Sequence, residues 1–107
     1  MPLWSADFSA ADLEFFEKRI RPVLAEHCYK CHSAKSKKLK GKLRLDYREG
    51  AIKGGETGPA VVPGKPGESL LVESIRYQNE DLKMPPKKRL SDSQVTDLTE
   101  WVKRGAP

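Results

Sequence analysis

Apolar residues recur at helical spacing in two terminal stretches of this chain, and the section between them is broken by glycine and proline. In the first stretch Leu13, Phe16 and Ile20 fall on one face of a helix. Ser9 stands ahead of them as an N-cap, with Asp12 in the first turn, where the helix dipole favours an acid. Pro22 ends or kinks this helix, or opens a second one at its first position. Val23 and Leu24 carry the apolar pattern on to Cys28. Leu43, Leu45 and Tyr47 then alternate with Lys42, Arg44 and Asp46, which predicts a short extended segment. Asp46-x-x-Glu49 has the form of a capping box for one short helix, stopped by Gly54-Gly55.

From Gly58 to Gly67 the punctuation is dense enough to exclude long regular structure. Pro66 or Gly67 opens a helix that turns Leu70, Leu71 and Ile75 inward, with Val72 as a fourth candidate. That helix ends near Tyr77, and a polar loop leads on to Met84. The last helix is the most fully specified. Ser91 and Gln94 form a capping box, and Leu90 is placed to staple onto Val95. Val95, Leu98, Trp101 and Val102 line one face, and Gly105 ends the helix, with Pro107 beyond it. Terminal helices bearing Phe16 and Trp101 are expected to pack on each other. The pattern is that of an all-α fold in one domain, residues 1–107.

The chemistry concentrates in Cys28-Tyr29-Lys30-Cys31-His32, which holds both cysteines of the chain and one of its two histidines. Cys-x-x-Cys-His is the spacing of a c-type haem attachment site. Two thiols add to the two vinyl groups of haem as thioethers, and the following histidine is held on one face of the ring as an axial ligand to iron. A redox dithiol would want a thioredoxin-like βαβ setting, which the pattern lacks. A zinc site wants four ligands, usually from two separated pairs. Here His27, Cys28, Cys31 and His32 crowd into six consecutive residues, which cannot easily surround one ion.

Haem iron has a second face, and Met84 is the candidate to meet it. The only other methionine is Met1. Pro85 keeps Met84 out of the helical region, and Pro86 stiffens the loop further. A methionine that merely fills a core gap would sit on an apolar helical face. His27 is the rival ligand. It directly precedes Cys28, so it is pinned beside the attachment edge and is expected to be a solvated surface histidine.

Composition fits a cofactor in the core. The chain has 107 residues, 37% of them hydrophobic, and a mean hydropathy of −0.65. A protein-only core would be thin, and a buried porphyrin supplies apolar surface. Both cysteines are taken, which leaves no structural disulfide. No apolar run approaches the roughly 20 residues of a membrane span. The opening Met1-Pro2-Leu3-Trp4-Ser5 lacks the apolar core of a signal peptide. Covalent haem attachment in bacteria occurs outside the cytoplasm, so a mature or excised piece, its export signal removed, is expected. The net charge is +5, densest from Lys35 to Lys42. Such a run is a solvated loop or a surface that steers an acidic redox partner. Without interleaved aromatics or a recognised fold it does not indicate nucleic-acid binding. No nucleophilic triad, phosphate loop or paired-carboxylate pocket points to another reaction.

With Cys-x-x-Cys-His after a helix, a downstream Met-Pro and a capped final helix, the chain resembles class I cytochrome c domains. Ile20-Arg21-Pro22-Val23-Leu24, Leu43-Arg44-Leu45-Asp46, Arg48-Glu49-Gly50-Ala51, Val62-Pro63-Gly64-Lys65-Pro66, Ser69-Leu70-Leu71 and Lys83-Met84-Pro85-Pro86 resemble the planctomycete-type cytochrome c domain over residues 14–107. The resemblance implies a class I fold, with N- and C-terminal helices packed together around one covalently bound haem c. It implies attachment at Cys28 and Cys31 and iron ligation by His32 and Met84. It also implies single-electron transfer rather than catalysis, in a periplasmic or other extracytoplasmic setting, as a module of a larger exported protein. One departure is the absence of a glycine on the first helix, where Ala10 or Ala11 stands in. The alternatives are a haem-based sensor or catalytic domain with an open sixth position, separable by carbon monoxide binding, and a haem-free zinc or interaction module.

Overall fold

A computed structural model describes residues 8–29, 31–33, 42–79, 81–86 and 88–107. The Ser9 side chain accepts the Asp12 N–H at 3.0 Å, the cap expected of it. Helix α1, Ala10–Phe15, runs into a π-helical turn, Phe16–Ile20, and on into α2, Arg21–His27. Pro22 therefore does not break the run. It has no N–H to give, and the widened turn before it makes room for the ring: the Arg21 N–H reaches back five residues to the Phe16 carbonyl. The extra residue in that turn rotates α2 relative to α1. Ile20 is fully buried while Leu13 is 47% exposed. Of the expected face of Leu13, Phe16 and Ile20, Leu13 alone turns away, and Phe15 joins Phe16 against the core.

Three further helices are described: α3, Arg48–Lys53, α4, Leu70–Ile75, and α5, Asp92–Lys103. Both halves of the Ser91–Gln94 capping box are present, and Leu98, Trp101 and Val102 are buried. Helix α5 meets the N-terminal run at its π turn, where the Phe16 and Trp101 rings lie 5.8 Å apart. Arg19–Asp97 at 2.9 Å and Arg104–Asp12 at 3.4 Å tie the same two elements. Ala10 and Ala11 are exposed and take no part in that crossing, because bulky aromatic faces make the contact. Gly105, at φ +99°, turns the chain so that the Ala106 N–H returns to the Trp101 carbonyl at 3.0 Å.

The middle of the chain departs from expectation at its caps. Tyr47, not Asp46, caps α3, and no side chain caps it. Arg44 holds the Asp46 carboxylate with two bonds, at 3.0 and 2.8 Å, so the expected capping box is not made. Residues 43–45 are irregular, with no strand. Gly54, at φ +79°, ends α3, and a Cβ there would collide with the Gly58 carbonyl oxygen. Pro66–Glu68 is a 3₁₀ turn, and Ser69 precedes α4. Among the described residues there is no strand, only a bridge between Gly55 and Gly58. Ile20, Leu24, Val61, Val72, Ile75, Leu98 and Val102 are the most deeply buried large side chains. No helix among the described residues is long and apolar enough to cross a membrane. Lys30, Lys87 and residues 35–41 of the basic run lie outside the described residues.

Candidate cofactor site

Two arms of the chain converge on one cavity of about 440 Å³. The first is the end of α2. The Cys28 N–H closes onto the Leu24 carbonyl at 2.9 Å, and the chain then tightens into turns. The Cys31 and His32 N–H groups both return to the Cys28 carbonyl, at 3.2 and 3.0 Å. Cys28, Cys31 and His32 all line the cavity. Ser33 secures the turn, its hydroxyl donating to the Tyr29 carbonyl at 2.7 Å.

The segment 43–45 fixes His32 twice. The Leu45 N–H donates to the His32 carbonyl at 2.7 Å, and the His32 Nδ1 lies 3.2 Å from the Leu43 carbonyl oxygen. That oxygen only accepts, so a neutral imidazole must present its N–H there and keep the lone pair on Nε2. Metal-binding histidines are oriented in this way. With 9% of its surface exposed, the ring has few other places to turn. By sequence Leu43 and Leu45 show only an apolar rhythm, yet both line the same cavity.

The second arm brings Met84. The chain leaves α4 at Ile75, and the Met84 N–H donates to the Ser74 carbonyl at 3.0 Å. Met84, Pro85, Pro86 and Leu82 line the cavity together with residues of the first arm. The expectation that a proline-fixed loop presents Met84 outside a helix therefore holds. The remaining walls are Ala60, Leu70, Leu71, Ser74 and Ile75, with the Gly55–Gly58 turn. That turn was legible only as punctuation. Its place depends on the Ala60 and Val61 N–H groups bonding to Ala51, and the Leu71 N–H to Ala60.

His27, expected on the surface, also lines the cavity with 32% of its side chain exposed. It ends α2 at the turn that carries Cys28, and its own charged neighbour is Glu26 at 3.8 Å. Arg44 points its fork at Asp46 and stacks over Tyr47 at 4.6 Å.

The residues present suit a haem. A volume within the roughly 300–1,000 Å³ of cofactor sites, mainly aliphatic walls, two thiols, two imidazoles and one thioether make a donor set matched to an apolar macrocycle around iron. Burial, with Cys31 as a smaller cause, pushes the Cys28 thiol up to about 11. A redox-active dithiol needs the opposite, a thiolate favoured near neutral pH. Among the described residues no group of three or more histidine, cysteine, aspartate or glutamate side chains is arranged to hold a metal ion.

A family model described as planctomycete cytochrome C matches residues 28–88, more than half of the chain. The match begins at the first cysteine and runs past Met84. No curated protein and no solved structure matches.

Proposed function

The chain belongs to the planctomycete cytochrome c family, and from that membership we propose that it is a monohaem electron-transfer domain with His32 and Met84 as its iron ligands. Cytochrome c domains bind haem covalently and act in electron transfer, and the bound haem supplies a one-electron Fe(III)/Fe(II) couple. Cys28 and Cys31 carry the thioethers. Residues 1–107 form one domain of class I arrangement, working outside the cytoplasm with a redox partner or a fused catalytic domain. The observation that carries this reading is a cavity lined by Cys28, Cys31, His32 and Met84 together. Crossed terminal helices, joined at Phe16 and Trp101, support the class I arrangement.

The chain's own residues do three things. The Leu43 carbonyl holds the His32 ring in one tautomer and one orientation, so the ligand need not reorganise between oxidation states. The Ser74 carbonyl and the two prolines hold the backbone of Met84. Aliphatic walls from Leu43, Leu45, Leu70, Leu71 and Ile75 keep the polarity of the cavity low. Low polarity and neutral thioether ligation both favour the reduced state and raise the potential.

Protein matured with the haem-attachment machinery should keep its haem through acid–acetone extraction and gain the mass of one haem. An unmodified mass sinks the cofactor reading. Oxidised protein should show the weak red charge-transfer band of an iron–methionine bond. Met84→Ala should lose that band, lower the potential and admit carbon monoxide, whereas His27→Ala should leave all three unchanged. A low-spin spectrum lost in His27→Ala but intact in Met84→Ala would overturn the ligand assignment. Carbon monoxide binding to the unmutated reduced protein would favour the sensor or catalytic alternative.

A further inference from the structure

Tyr77 lies just after α4 in the left-handed region, at φ +59°. A bulky residue with a Cβ is uncommon there, and asparagine or glycine would take the position more readily. Something other than the turn must favour tyrosine. Its hydroxyl donates to the Pro85 carbonyl, and the Lys83 Nζ stands 5.7 Å from the centre of its ring. Tyr77 thus touches the residue on each side of Met84. The Met84 N–H is itself bonded to Ser74, three residues before Tyr77 and within α4. Three consecutive loop residues are in this way fastened to the C-terminal end of α4.

We propose that Tyr77 is a positioning residue, a latch whose hydroxyl and ring hold the Met84 loop against α4 so that the thioether stays in the cavity. The inference rests on the reading of Met84 as iron ligand and extends it to the group that keeps the ligand in place. A loop that carries a ligand is in equilibrium between closed and open arrangements, and a contact made only in the closed one shifts the balance. The Tyr77 hydroxyl bond to Pro85 is such a contact. Losing one neutral hydrogen bond should change the closed-to-open ratio by roughly twofold to tenfold.

The test uses ferric holoprotein titrated with imidazole, a small ligand that takes the sixth position when Met84 leaves. Tyr77→Phe keeps the ring and removes only the hydroxyl. It should bind imidazole roughly twofold to tenfold more tightly than the unmutated protein, and should lose its iron–methionine band at a lower denaturant concentration than its helicity. Tyr77→Asn suits the left-handed backbone and removes ring and hydroxyl together, so it should bind imidazole at least as tightly as Tyr77→Phe. Should Tyr77→Phe fail to fold, Tyr77→Asn decides alone. Unchanged imidazole affinity in a folded variant, with band and helicity lost together, overturns the latch and makes Tyr77 a merely structural residue. Met84→Ala sets the open-site limit. Unmutated protein without the band, or with the affinity of Met84→Ala, would show instead that the ligand assignment has failed.

Discussion

Removing the haem attachment points should cost this domain most or all of its stability. The perturbation is Cys28→Ala with Cys31→Ala, which leaves two small apolar side chains and no covalent anchor. The cavity they line has a volume of about 440 Å³. An unfilled apolar cavity costs about 24 cal/mol per Å³, so the site left empty would cost about 10 kcal/mol if its walls stayed in place and dry. Glu56 and Thr57 are exposed on the wall, so solvent enters and the figure is an upper bound. Even half of it is comparable to the roughly 5–15 kcal/mol that holds a domain of this size together. The walls should therefore not persist. Far-ultraviolet circular dichroism should show reduced helicity, near-ultraviolet signals should collapse, and thermal unfolding should lose its cooperative step. The attached protein, prepared in parallel, should melt sharply. Native-like helicity with a cooperative transition in the double variant would refute the reasoning and show that the protein core suffices.

Two other predictions concern the surface and the chain end. Lys83 and Lys88 lie in or beside the Met84 segment, so electron exchange with an acidic partner should slow as salt is raised to physiological strength, where the screening length is about 8 Å. A rate indifferent to ionic strength would remove electrostatic docking. Arg48 donates to the Ala106 carbonyl at 2.8 Å and the Gly105 carbonyl at 3.0 Å. Arg48→Ala should lower unfolding stability by about 2 kcal/mol, the usual worth of a hydrogen bond to a charged group. An unchanged denaturant midpoint would show that these bonds contribute nothing net.

Local chemistry was readable without the fold wherever cause and effect lie within a few residues. The Ser91–Gln94 box, the Ser9 cap and the turn at Gly105 are short-range hydrogen-bond geometry, and each formed as expected. Cys28, Cys31 and His32 reach one cavity for the same reason, since they lie within five consecutive residues. Met84 lies outside a helix, as the proline after it dictates. The folded chain decided the phase between helices and the choice among competing partners. The π turn at Phe16–Ile20 turned Leu13 outward, a change of helical phase that no apolar count contains. Asp46 gave its carboxylate to Arg44 rather than to a helix end, because a bidentate guanidinium outcompetes an exposed backbone N–H. Leu43 was an apolar residue in a basic stretch until its carbonyl met the His32 ring, eleven positions away. His27 was drawn into the cavity wall because the turn carrying Cys28 takes its neighbour along. A linear pattern shows which groups are available, and only packing settles which of them compete for the same partner.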